Sequence, residues 1–231
     1  MLFDDRIHAA KRLAERLKEL LHNNTMLQRG DINYINTVIV LAIPRGGVVI
    51  GDVIASMLGV KLDVIVTRKI GAPDNPELAI GAVMPDGSYS LNKDIVDILN
   101  IPRSYITEQA SIQKKEIQRR LAAFKGEDSD YYNNFEGKIV IIVDDGIATG
   151  ATILSAAHWL RTKQNCCKML IIAVPVAPPD VIDKINELSD KAIVLYTPAV
   201  FGSVGRFYRN FEQVSDAEVR EIMIRHGHKP M

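Results

Sequence analysis

The sequence predicts an α/β fold: an open, mostly parallel sheet flanked by helices. Three observations predict it. Short β-branched runs recur, and several are followed by a glycine-bearing turn and then by helical text. The order strand, turn, helix, strand makes βαβ units, which imply parallel strands and right-handed crossovers. The chain has 231 residues, 47% of them hydrophobic, enough for a sizeable core and against disorder.

The elements follow in order. Ile7, Ala10, Leu13, Ala14, Leu17, Leu20 and Leu21 recur at helical spacing, with Asp4 or Asp5 as N-cap. A polar turn is expected near His22 to Thr25. TVIVLAIP reads as a buried strand, PRGG as a turn, VVIGDVIASMLGV as a helix and LDVIVTRK as the next strand. IGAPDNPE reads as a loop, because prolines and a glycine interrupt it. LAIGAVM and SYSLN form short strands joined at Pro85-Asp86-Gly87-Ser88. Arg103 to Lys125 is charged, with Ile106, Ala110, Ile117, Leu121 and Phe124 on a narrow stripe, which predicts a long, partly exposed helix. EDSDYYNN is a polar loop. IVIIV, MLIIAVPV and AIVLY are core strands; TILSAAHWLR and Pro179 to Leu188 are helices. Ser215 and Glu218 have capping-box spacing before Val219, Ile222 and Met223. His226, His228 and Lys229 read as a frayed tail.

Composition excludes several classes. With 28 basic and 28 acidic residues the net charge is zero, so nucleic-acid or membrane-surface partners are not expected. The start, MLFDDRIHAAKRLAERLKELL, is too charged for a signal peptide, and no apolar run approaches the ~20 residues of a membrane span. A cytoplasmic location is expected. Cys166 and Cys167 are adjacent, fit neither a disulfide framework nor a metal-ligand spacing, and read as small residues near a helix end.

In open α/β sheets ligands bind outside the carboxyl ends of the strands. Three strand ends carry unusual residues. Pro44-Arg45-Gly46-Gly47 combines glycines, which allow close backbone approach, with a forked cation and a helix start. That suits an anion such as phosphate, or simply a tight turn. Thr67-Arg68-Lys69 places two cations together, beside the site or solvated. IVIIVDDGIATGAT is the most specific. Gly146, Thr149, Gly150 and Thr152 can offer N–H groups and hydroxyls to a phosphate. Asp144 and Asp145 would repel a bare phosphate but accept hydrogen bonds from vicinal sugar hydroxyls. Mg²⁺ on those hydroxyls fits the same carboxylates. Diol and phosphate on one ribose, with a second phosphate group at the first glycine loop, describe phosphoribosyl pyrophosphate (PRPP). The stretch is neither a P-loop nor a Gly-x-Gly-x-x-Gly motif. A structural Asp-Asp turn is the alternative.

Val140 to Thr152 resembles the PRPP-binding signature of type I phosphoribosyltransferases, an apolar strand, two acids and a small-residue loop ending Thr-Gly-x-Thr. The resemblance extends over most of the chain, and RKIGAPDNPELAIGAV and FGSVGRFYRNFEQVSDAEV are similar to a group of stand-alone bacterial members. It implies one domain over 1–231: a core at about 37–197, a hood from 1–36 and 198–231, a flexible loop at 70–79 and a helical insertion at 92–135. It implies that Asp144 and Asp145 hold the ribose hydroxyls and, through them or water, Mg²⁺. Gly146, Ile147, Ala148, Thr149, Gly150 and Thr152 then cradle the 5-phosphate, and Arg45, Gly46 and Gly47 bind pyrophosphate, with a strained or cis peptide around Arg45-Gly46. Arg68 and Lys69 stabilise the leaving group, Ile70 to Glu77 forms a lid, and Glu77 either acts on a reacting group or is an exposed loop carboxylate. The implied activity is Mg²⁺-assisted transfer of phosphoribose from PRPP to a small-molecule acceptor, as in nucleotide salvage. Ala148 stands where 6-oxopurine enzymes usually have aspartate, which points to another base. Phe201, Phe207, Tyr208 and Phe211 are candidates to stack on the acceptor or to pack the hood. A homo-oligomer, a dimer, is expected, and the 103–125 helix either joins a second subunit or covers the site. A PRPP-sensing regulator and a generic nucleotide-binding domain are the other readings.

Overall fold

The computed structural model describes residues 2–22, 34–126, 135–162 and 167–230. The expected turn after His22, the EDSDYYNN loop and Cys166 lie outside them. A five-stranded sheet has the order β2-β1-β6-β7-β8, with β1 Val38–Ala42, β2 Lys61–Val64, β6 Ile139–Val143, β7 Met169–Val176 and β8 Lys191–Tyr196. Every neighbouring pair is parallel. β1 and β6 are buried along their whole length, which is why they read as unbroken apolar runs rather than alternating ones.

The helices are α1 (Arg6–His22), a short α2 (Tyr34–Thr37), α3 (Gly46–Leu58), α4 (Lys93–Ile98), α5 (Arg103–Lys125), α6 (Ala151–Thr162), α7 (Pro179–Leu188) and α8 (Asp216–Arg225). α1 packs along α3, and α6 packs on α7. The chain runs from β1 through α3 to β2 on one side, and from β6 through α6 to β7 on the other. Right-handed crossovers in opposite directions put α3 and α6 on opposite faces. The strand order therefore reverses between β1 and β6, and the crevice at their carboxyl ends is the topological switch point. Ala42 is level with Val143, so the two loops leave the sheet side by side.

A second sheet, β3-β4-β5, is antiparallel: β3 Arg68–Ala72, β4 Asn75–Val83 and β5 Tyr89–Leu91. It corrects two expectations. LDVIVTRK is not one strand; β2 ends at Val64 and Arg68-Lys69 opens β3. IGAPDNPE is not an irregular loop but the tip and arms of the β3–β4 hairpin, whose register shifts around Gly71. Pro76 sits near the hairpin tip at the start of β4, in the stretch where the register shifts, outside the paired positions. The turn at Pro85 to Ser88 forms as expected, with Gly87 at φ 82° and Asp86 accepting from Ser88 N and from Trp159 Nε1 of α6 at 2.9 Å.

α5 matches its expected span, and all five stripe residues are buried. It packs on β3, while Lys125 at its end forms an ion pair of 2.9 Å with Asp63 of β2; both side chains are almost fully buried. α1 buries Ala9 as well as most of its expected stripe, but Ile7 lies on the exposed side at 46%. Asp5 is its N-cap acceptor, taking His8 N at 2.7 Å. Cys167 is buried in a bridge to Glu136, past the end of α6. The tail is tied down rather than frayed: His226 Nε2 meets Asp52 at 2.8 Å and His228 Nε2 meets Leu62 O at 2.8 Å. Ser215 caps α8 through Glu218 N. Among the described residues no helix is long and apolar enough to cross a membrane.

Candidate active site

The two loops at the switch point touch. Ile43 N donates to Val143 O at 3.0 Å. A Cβ on Gly46 would run into the Asp145 carboxylate, and one on Gly47 would lie 3.0 Å from Asp144 Cα and Oδ1. Only glycines let this loop lie on the acidic pair. α3 starts at Gly46, directing its N-terminal N–H groups at the crevice. The Pro44–Arg45 peptide is cis, one bond before the position expected.

After β6 the chain turns through Gly146 and Gly150 into α6. Gly150 has φ 79°, and a Cβ on Gly146 would strike Val204. A cavity of about 200 Å³ is lined by Asp144, by residues 146–153 and by Val204. A larger cavity of about 660 Å³ shares Thr149, Ala151 and Thr152 with it and is lined also by Thr67, Arg68, Lys69 and Asn92. The structure thus brings together Arg68, Lys69 and the Thr149–Thr152 loop, which lie on different sheets. Ile147 is the exception within the loop: it is buried, and its N–H donates to Val176 O at 2.8 Å, so it has no N–H to offer a phosphate.

The two acids differ. Asp144 lines the smaller cavity, and its Oδ1 accepts from Asp145 N at 2.8 Å. Asp145 turns the other way, to Arg6, whose Nε lies 2.8 Å from its Oδ2. Burial raises the pKa of both carboxyls; the neighbouring Asp145 raises Asp144 further, and Arg6 opposes the rise at both. Arg6 also donates to Glu212 O at 2.8 Å and lies 3.9 Å over the Phe211 ring. Tyr208 is buried and donates to Asp145 O at 2.6 Å; burial and Asp145 lift its phenol far above the usual range, so it remains a donor.

The cations are held from outside the loops. Arg68 Nε donates to Gln113 Oε1 of α5 at 3.0 Å, and burial, then the charge of Arg120, lower its pKa. Lys69 pairs with Glu77 at 2.8 Å across the hairpin; the Glu77 side chain is 89% exposed and is this lysine's partner. Arg45 reaches back to Asp216 at 3.4 Å. The aromatic candidates pack among themselves: Tyr208 stacks on Phe211 at 4.9 Å, and Phe201 lies 5.4 Å from Phe207. Tyr208 is enclosed and has no free face for a base. Arg6, Gln113, Asp216 and the Tyr208 hydroxyl were not foreseen. No local signal marks them, since Arg6 and Asp145 are 139 positions apart.

Among the described residues no three His, Cys, Asp or Glu side chains cluster as a metal cage. Mg²⁺ does not need one: it commonly binds through one or two carboxylates plus substrate phosphates. Asp144 beside the phosphate-loop cavity fits that mode.

Residues 82–196, from within β4 to the end of β8, match the phosphoribosyl transferase domain family. This chain belongs to that family. It is 39% identical over 219 residues to the Mycobacterium tuberculosis proteins named "Putative phosphoribosyl transferase Rv0571c" (strain H37Rv) and "Putative phosphoribosyl transferase MT0597" (strain CDC 1551). The match covers 94% of this chain but 45% of each relative, so the chain spans about half their length. The crystal structure of TT1426 from Thermus thermophilus is similar at a TM-score of 0.76 and 33% identity, covering 97% of this chain and 99% of that one. As a family member the chain has its acidic pair and Thr-Gly-x-Thr loop where the fold's crevice lies.

Proposed function

We propose that the chain transfers a phosphoribosyl group from PRPP to a small-molecule acceptor and releases pyrophosphate. The observation that carries this reading is the junction of the two cavities. Thr149, Ala151 and Thr152 at the α6 N-terminus line both a pocket that holds Asp144 and one that holds Arg68 and Lys69. The combined shape and charge suit a ribose bearing phosphates at two ends.

The 5-phosphate sits on the N–H groups and hydroxyls of residues 148–152, favoured by the α6 dipole. Asp144 accepts from the ribose hydroxyls. Gly46 and Gly47 offer the α3 N-terminus to pyrophosphate, and Arg45 turns to it from Asp216. An acceptor atom attacks C1 as the bond from C1 to the pyrophosphate oxygen breaks. The pyrophosphate leaves with the electron pair, and the acceptor proton passes to it or to water. Positive charge develops on the ribose ring and negative charge on the leaving group, so Arg68 and Lys69 act on the transition state. Mg²⁺ carried on the pyrophosphate oxygens would add to that neutralisation. The β3–β4 hairpin, bearing Lys69 and Glu77, closes the larger cavity against water.

Val204 and the exposed Ala148 border the smaller cavity, and Phe201 and Phe207 flank Val204 in the chain. The acceptor is then a flat base other than a 6-oxopurine, because Ala148 supplies no carboxylate to a ring nitrogen. The test is pyrophosphate release from PRPP and Mg²⁺ with a panel of free bases, against an Asp144→Asn control. Release that requires one base and disappears in the control is expected. PRPP binding without release for any base would instead fit a PRPP-sensing regulator.

A further inference from the structure

The two adjacent acids are not equivalent in their surroundings. Asp144 lines the phosphate-loop cavity; the lining of that cavity does not include Asp145. The Asp145 carboxylate is enclosed between Arg6 and the Gly46 backbone, with side-chain exposures of 11% for Arg6 and 15% for Asp145. Its backbone carbonyl takes the Tyr208 hydroxyl. Arg6 in turn is fixed on three sides, by Asp145, by Glu212 O and by the Phe211 ring. The first residues of the chain are bound to the same segment: Phe3 N donates to Phe207 O at 2.9 Å and Arg209 N to Phe3 O at 2.8 Å. One carboxylate therefore joins the start of α1, the 207–212 segment and the glycine loop after β1.

The geometry points to a division of labour: Asp144 alone reads the ribose, while Asp145 and Arg6 form a positioning pair that sets Asp144 and the Gly46-Gly47 loop for PRPP. This rests on the reading of the chain as a PRPP-binding protein. The physical reason is crowding of like charge. Two carboxylates one residue apart and partly buried repel each other and any phosphate. A guanidinium on the outer one leaves a single free acid at the ligand. Its three contacts also fix the Asp145 backbone, whose N–H donates to Asp144 Oδ1 and so orients that carboxylate. Gly46 belongs to the same arrangement, because the Asp145 side chain occupies the space a Cβ would take.

The test is a set of double-mutant cycles read by calorimetric titration of PRPP with Mg²⁺ and by melting temperature. Arg6→Gln and Asp145→Asn each weaken PRPP binding by about 10- to 100-fold, the range for residues that orient a ligand-holding group. The double variant is no weaker than either single one, because both remove the same pair. Arg6→Gln combined with Asp144→Asn loses less than the product of the two losses, because the pair acts in part through Asp144. Arg6→Lys recovers part of the affinity, since lysine restores the charge without the planar fork. Asp4→Asn, which removes an exposed contact to Arg209 nearby, leaves affinity unchanged. Wild-type or tighter binding by Arg6→Gln, or losses that multiply between Arg6 and Asp145, would overturn the pair. A wild-type chain without affinity for PRPP would overturn the functional reading and this inference with it. Coupling absent while wild-type affinity is present would overturn the inference alone.

Discussion

At the scale of single residues, the proposed ribose contact of Asp144 and the stability of the fold oppose each other. Burial and the neighbouring acid raise its pKa in the folded chain. The folded state then binds more protons than the unfolded one at pH values above about 4, where a free aspartate ionises. Stability contributed by this group is present at low pH and is lost as pH rises through that window. At neutral pH the carboxylate is a cost to the ligand-free fold. Asp144→Asn is therefore expected to raise the melting temperature at pH 7 while weakening PRPP binding, with the gain shrinking as pH falls towards 4. Calorimetric melting across pH checks this; a neutral-pH destabilisation would contradict it. Arg68 carries the opposite kind of charge into the larger cavity. Arg68→Gln should lower kcat by about 100-fold with a smaller change in KM, as loss of a donor aimed at developing charge does. Steady-state pyrophosphate release measures it. Glu77→Gln removes only an exposed pair, so melting temperature should not change measurably.

The acidic motif and the glycine loop were legible as a candidate site, because residue types and spacing set them apart from ordinary strand ends, and the structure brings them together. Arg6 was not, because it sits in an ordinary amphipathic pattern and acquires its role only when α1 reaches the crevice. Arg68 and Lys69 were legible as cations beside the site, but their strand was not. A run such as LDVIVTRK carries no mark for the break at Val64, where the chain leaves one sheet for another.

At the scale of elements, α5 ties the small antiparallel sheet to the main one. Its apolar stripe was legible from periodicity, whereas its polar anchors Tyr105, Gln113 and Lys125 were not. Lys125 is paired with Asp63 in the interior. Lys125→Met leaves a buried carboxylate without its cation and should destabilise the fold by about 3–5 kcal/mol in chemical denaturation. Asp63→Asn with Lys125→Met should recover much of that loss. Further along α5, hydrogen bonds from Arg119 and Arg120 hold Glu116 at a pKa of about 2, against an ordinary 4.5. A depressed carboxylate contributes stability that is complete above about 4.5 and is lost as pH falls towards 2. Acid should thus loosen α5, and with it the Gln113 contact to Arg68. Protection factors of the α5 amides at pH 2 against pH 6 would show this; equal protection would contradict it. The tail after α8 illustrates a different limit. A short polar segment reads as frayed, yet His226 and His228 bind Asp52 and a strand carbonyl, contacts set by tertiary placement.

At the scale of the whole molecule, the strand order decides where chemistry can occur. The reversal between β1 and β6 opens one crevice, and the glycine loop and the acid-threonine loop both leave the sheet there. The parallel sheet was legible from its βαβ order. The β3–β4 hairpin was not, because proline and glycine mark it as a loop and only pairing partners make it a sheet. PRPP is proposed to occupy the joined cavities at this crevice. Hydrogen exchange mapped by mass spectrometry, with and without PRPP and Mg²⁺, tests it most directly. Bound PRPP should slow exchange in peptides covering residues 45–48, 67–70 and 146–154, with β8 and α7 unchanged. Unchanged exchange in those three segments, or protection confined to other parts of the chain, would contradict it.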